Sequence, residues 1–190
     1  MPTENLPLAG SLSSSGNRLD SPSMEAEQLS AAKPGHETER RDIQQIISLW
    51  QRNASEDGGP PLLSTFDLSK MKAKWDHRFL ICSDRTVQNA AFIVYGQKFA
   101  QLLGLPEKMT RVVSLYQLIP GRYRPIFADG CGAVMTKDEP AQFSGTFDHE
   151  FTAELFRAVF VPIRLHPRWT KRLILGSLDC RFRPANKRAI

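Results

Sequence analysis

Hydrophobic and polar positions show no regular period over residues 1–36, which are rich in Ser, Pro, Gly, Asn and Glu. Such a segment buries too little apolar surface to offset its ordering entropy, so the pattern predicts a disordered amino-terminal tail. The first clear period follows. Ile43, Ile46, Ile47 and Trp50 stand at i, i+3, i+4 and i+7, the spacing of one helix face. This predicts an amphipathic helix over 37–53. Glu37 and Glu39 fall in its first turn, where a negative charge suits the positive end of the dipole. The Gly- and Pro-containing run "NASEDGGPP" stops it. Residues 54–77 then read as a connector.

Two short apolar runs come next, "RFLICS" at 78–83 and "AAFIVYG" at 90–96. The intervening "DRTVQN" suits a hairpin loop, so the two strands are expected to pair antiparallel. Phe99, Leu102 and Leu103 predict a short helix that Gly104 ends. A longer helix is expected over 121–137, with Tyr123, Ile126, Phe127, Cys131 and Val134 as its stripe and Pro125 in its first turn. Gly130 and Gly132 inside it each cost about 1 kcal/mol relative to Ala, which implies close backbone approach there. Phe143, Gly145, Phe147, His149 and Phe151 alternate with polar residues, the mark of a half-buried strand. "ELFRAVFVPIRLHP" and "KRLILGSLDCRF" form a second expected hairpin. Pro162 lacks an amide donor, so its strand should have an edge or a bulge there. Two strands, a helical crossover and three strands predict an α+β domain, one antiparallel sheet with helices on a single face.

Charge and cysteine content narrow the class. The 190 residues carry a net charge of +5 and 41% hydrophobic positions. That suits a globular core and acidic partners but falls short of a dedicated nucleic-acid binder. No run approaches the roughly 18–20 apolar residues of a membrane helix, and the amino terminus does not read as a secretory signal. Cys82, Cys131 and Cys180 are odd in number and lack short paired spacing, against a disulfide framework or a structural zinc site. The expectation is a soluble protein of the reducing cytoplasm.

Several motifs resemble sites of chemistry. "AAFIVYGQKFAQLLG" has the strand–glycine–helix order of a phosphate-binding turn. Gly96, however, has no second glycine until Gly104, and no Gly-Lys-Ser/Thr ending follows. A structural corner explains it better. The cysteines fall in expected core stripes and strands, as small hydrophobes do. The histidines His36, His77, His149 and His166 show no metal spacing, and His149 on an apolar strand face reads as a core residue. Asp148 and Glu150 fall on the polar face of their strand, where solvation accounts for them. "HPRWTKR" and "RFRPANKR" mix basic and aromatic residues, as a solvated turn and a basic tail over 184–190.

The order of elements and several residues resemble short bacterial proteins that carry a single divergent PAS domain. The resemblance spans Ile43 to Phe182. It rests on Leu49 and Trp50 at the helix end, Pro61 and Asp67 in the connector, and Gly96 and Gly104 around the short helix. Pro140, Pro162 and Gly176 complete it. In the connector, Ser64, Thr65 and Ser69 stand where the family would bring an arginine and a proline. The resemblance implies a PAS-like core at 78–183 with a five-stranded antiparallel sheet and helices on one face. It implies small-molecule sensing in the cleft between them, dimerisation through the 37–53 helix, and relay to a signalling partner in trans. Candidate pocket-lining residues are Phe92, Tyr123, Phe127, Phe147, Val161 and Ile174. A solid core would present the same apolar side chains. The expected function is a sensory or regulatory module that binds a ligand or partner and catalyses nothing, with no particular cofactor or metal indicated. Two alternatives stay open. One is a small cleft enzyme built on His149 and Asp179. The other is a basic nucleic-acid-binding protein.

Overall fold

A computed structural model describes residues 37–54, 59–66, 75–84, 87–107, 112–148, 152–169 and 171–184. The expected tail at 1–36 and the basic end beyond residue 184 lie outside the described residues, as do Asp67, Ser69, His149, Glu150 and Phe151. Helix α1 (Glu37–Asn53) comes first, then strands β1 (Arg78–Ser83) and β2 (Ala91–Tyr95). Helices α2 (Gln97–Leu103), α3 (Leu115–Leu118) and α4 (Arg124–Lys137) follow, then β3 (Ala141–Asp148), β4 (Thr152–Ile163) and β5 (Arg172–Pro184). The protein is thus α+β.

The five strands make one sheet in the order β2-β1-β5-β4-β3, with every neighbour antiparallel. Strands 4 and 5 pair along their whole shared length, from Thr152↔Pro184 to Ile163↔Leu173. β3 stops pairing at Ala141↔Phe160, two positions short of Pro162. So the expected edge at Pro162 exists locally inside a central strand, because no β3 residue is present there to need a donor. The connector takes over beyond it: Leu63 N–H donates to Arg164 O at 2.8 Å, and Arg164 N–H to Pro61 O at 2.9 Å.

Continuous apolar runs explain the layering. On β4, Phe156, Ala158 and Phe160 join the cluster beneath α2–α4, while Val159, Val161 and Ile163 join the cluster beneath α1. On β5, Ile174 and Leu178 face the first cluster, and Leu173 and Leu175 the second. A strand buried on both faces reads as an unbroken hydrophobic run rather than an alternation. β3 alternates because only one of its faces packs. Helices α2–α4 keep to one face, as expected, but α1 lies on the other. This corrects the single-face arrangement: the apolar stripe of α1 covers the outer sheet positions of its own chain.

Glycines mark the close approaches. A Cβ on Gly96 would lie 1.9 Å from Trp75 O and 2.4 Å from Asp76 O, so the β2–α2 corner packs directly against the backbone before β1. The Gly96 amide donates to Arg78 O at 2.8 Å and has no proton to offer a phosphate. Gly104 ends α2 in the left-handed region, at φ 65°. Gly130 lets α4 settle on the ring of Phe160, 2.3 Å from where its Cβ would stand. Gly132 meets nothing within 4 Å, so the close approach expected there is absent. α4 closes at Asp138, whose carboxylate accepts from Arg172 Nη2 of β5 at 2.8 Å.

Candidate functional site

A block of phenylalanines packs between the sheet and α2–α4. The Phe79 ring of β1 lies 4.9 Å from Phe99, 5.2 Å from Phe127, 5.5 Å from Phe160 and 6.0 Å from Phe92. These five rings are fully buried, and each packs against at least two of the others. Tilted and edge-to-face packing at such separations suits the ring quadrupoles. Gly176 of β5 makes room for Phe79, whose ring comes within 2.2 Å of the missing Cβ position. At this end the cleft is a filled core.

Of the six residues expected to line a pocket, Phe92, Tyr123, Phe127 and Ile174 are buried on the cleft side, and Phe147 packs there half-buried. Val161 does not join them. Its odd position on β4 sends it to the outer face, in the cluster with Ile46, Ile47 and Trp50. Phe92 and Phe127 belong to the phenylalanine block, 6.0 Å apart. Tyr123 and Phe147 stand together elsewhere, 5.7 Å apart, and Phe147 stacks on Phe156 at 4.9 Å.

Around that second pair the cleft turns polar. Glu154 near the start of β4 is fully buried, on the same side as Phe156. Tyr123 Oη donates a hydrogen bond to Glu154 Oε1. Arg122 Nη1 stands 3.4 Å from Glu154 Oε2, and its guanidinium lies 4.6 Å from the Tyr123 ring centroid. Arg122 itself is 44% exposed, so it covers the carboxylate from the solvent side. Cys180 of β5 completes the group. Burial, then the neighbouring Glu154, pushes its thiol pKa up. Burial, then the hydrogen bond to Glu154, raises the Tyr123 phenol as well. Phe182 pairs directly with Glu154 across the strands, hence on the same face, and is 60% exposed.

The sequence reading missed Glu154, Arg122 and Cys180 as a group. The signal was the parity of β4: Glu154 shares its face with Phe156, Ala158 and Phe160, an odd place for a solvated carboxylate. Asp179, the acid expected with His149, stands elsewhere. It lies on the opposite face, 3.5 Å from His77 Nδ1, and its Oδ1 accepts the Cys180 amide at 3.0 Å.

Polar contacts on that outer face hold α1. Arg78, 1% exposed, reaches Asp42 Oδ1 at 2.5 Å. Ser177 Oγ of β5 donates to Asp42 Oδ2 at 3.0 Å. One turn from the helix end, Trp50 Nε1 donates to Pro162 O at 2.8 Å. That carbonyl lies where β3 has already ended, so the indole takes the place of a missing strand.

Among the described residues no helix is long and apolar enough to cross a membrane, and no group of three or more His, Cys, Asp or Glu stands close enough to hold a metal. In comparisons with known proteins, no family model matches the chain and no curated protein matches it.

Proposed function

We propose that the chain is a PAS-like sensory or regulatory module of the reducing cytoplasm, one that binds a small ligand or a signalling partner and catalyses nothing itself. The five-stranded antiparallel sheet, the helices over its cleft face and the amphipathic helix before it support this reading. One observation carries it. The cleft ends in a buried carboxylate, Glu154, whose strands β4 and β5 also carry the residues that hold α1 on the other face. Pairing at Glu154 and docking at Pro162, Val161 and Ser177 therefore share two strands.

The mechanism is a population shift between α1 docked and α1 released. A ligand moves that equilibrium only by its difference in affinity for the two states. Docked, the α1 stripe is used within the chain; released, the same stripe is available to a second copy or to a signalling partner. Catalysis by the cysteines is disfavoured on physical grounds. Burial raises the pKa of Cys82, Cys131 and Cys180, leaving little thiolate near neutral pH.

The test is native mass spectrometry of the chain purified from its own cells, followed by hydrogen exchange of α1 with and without whatever co-purifies. A bound small molecule or partner that changes α1 protection supports the proposal. Protein that carries neither, with α1 exchange unchanged across cell extracts, ends it.

A further inference from the structure

Arg122 sits in a place that suits a guest better than a structural partner. Its Nη1 stands 3.4 Å from Glu154 Oε2, beyond hydrogen-bond length for a strong ion pair. A strong guanidinium–carboxylate pair is bidentate and near 2.7–2.9 Å. The side chain springs from a short 3-10 turn, Gly121–Tyr123, and is 44% exposed. Lifting it away returns the exposed guanidinium to water but leaves a buried carboxylate short of its positive neighbour, so the exchange is favourable only when another cation takes the place. Glu154 cannot follow. It is fully buried among aromatic rings, and a buried carboxylate needs a positive or hydrogen-bonding companion.

The surroundings specify what could replace Arg122. The guanidinium now touches a carboxylate oxygen and the face of Tyr123 at once. A carboxylate beside an aromatic face selects a cation. Half-buried Phe147 on β3 and the exposed ring of Phe182 on β5 flank Glu154 on its two sides. Among the described residues, Phe182 leaves an apolar ring 60% exposed directly across from the buried carboxylate. A cationic head with an apolar body uses both. We propose that the Glu154 site receives an organic cation, a protonated amine or guanidinium on an apolar body, and that Arg122 is its built-in competitor. This inference rests on the reading of the cleft as a binding site.

Calorimetric titration of the full chain with hexylguanidinium tests it, with hexanol and hexanoate as probes of equal apolar body and different charge. An internal occupant present about nine-tenths of the time lowers apparent affinity about tenfold. Arg122→Gln should therefore bind hexylguanidinium about tenfold more tightly than the parent chain, with no such gain for hexanol or hexanoate. Adding Glu154→Gln to Arg122→Gln should abolish the preference. Carbon-13 spectra of glutamate-labelled Arg122→Gln give a second reading that does not depend on the folding of the double variant: one buried carboxyl resonance should shift with hexylguanidinium and not with hexanol. Equal binding of charged and neutral probes, or no binding by Arg122→Gln and no carboxyl shift, overturns the proposal. If hexylguanidinium binds as expected yet α1 exchange is unmoved, the site stands and the sensory reading fails. If an anionic or neutral natural ligand co-purifies and moves α1 while the probe does not bind, the sensory reading stands and this one fails.

Discussion

The two faces of the sheet are covered in different ways. On the cleft side five buried phenylalanine rings touch one another, and three helices close over them. On the outer side one helix lies across Leu80, Val159, Val161, Leu173 and Leu175, pinned by Asp42 and Trp50. The first cover is apolar, many-bodied and spread over the chain from Phe79 to Leu178. The second is chiefly α1, joined by Leu63 and Phe66 of the connector and by Trp75, and held by a few directed bonds. Burial without direction sets which fold forms; a few buried polar contacts set where one removable element sits on it. A regulatory helix needs the second kind of attachment, because losing it need not dissolve the core.

The largest effect should come from the cleft face. Phe79→Ala removes the ring that meets four others and should cost about 3–5 kcal/mol, measured by denaturant unfolding. On the outer face, Asp42→Ala leaves the buried Arg78 without its carboxylate. Breaking such a pair costs about 3 kcal/mol or more, but here the loss is capped at the free energy of docking α1. Denaturant unfolding should therefore show a smaller loss than for Phe79→Ala. The joint replacement Asp42→Leu with Arg78→Met should recover much of it, since an apolar pair of similar size avoids desolvating the charges.

The cleft face should also respond to alkaline pH. Burial lifts the Cys131 thiol from its ordinary 9.0 to about 12, and Cys180 and Tyr123 are raised as well. The folded state keeps these protons where the unfolded chain releases them. Their contribution is complete below about pH 9 and is lost as pH rises toward about 12. The Cys131 thiol alone should lower stability by about 1.4 kcal/mol per pH unit in that window. Unfolding curves from about pH 8 to about pH 10.5 check the slope. Cys131→Ala should be less stable at pH 8 but show a shallower decline.

The smallest effects separate two glycines on one helix. Gly130→Ala drives a methyl into the Phe160 ring and should cost about 1–3 kcal/mol. Gly132→Ala meets nothing and should stabilise by up to about 1 kcal/mol through helix propensity alone. Thermal unfolding of the two variants checks the opposite signs.

The sequence made the elements legible where one period dominates. The stripe from Ile43 to Trp50 marks α1, and that from Ile126 to Val134 marks α4. The sheet and its antiparallel pairing followed from the short strands and the loops between them. Facing was harder. In "AVFVPI" every position is apolar, so nothing local says that Phe160 looks to the cleft and Val161 to α1. Only the reach of α1 from the chain's other end decides it. Gly96 looked like a turn glycine, yet its constraint comes from Trp75 O and Asp76 O some twenty residues earlier. Glu154 opens the run "ELFRAVFVPIRLHP" with nothing local to mark it as buried. Its burial depends on Tyr123 and Arg122, which come from another element.

The claim that the outer face holds a separately releasable helix is tested most directly by residue-resolved hydrogen exchange of the full chain and of Asp42→Ala. In the parent, the amides of Ile46 to Trp50 should be protected. In the variant, they should exchange much faster while those of β1, β4 and β5 keep their protection. Equal acceleration of helix and sheet, or no protection of α1 in the parent chain, would contradict the account.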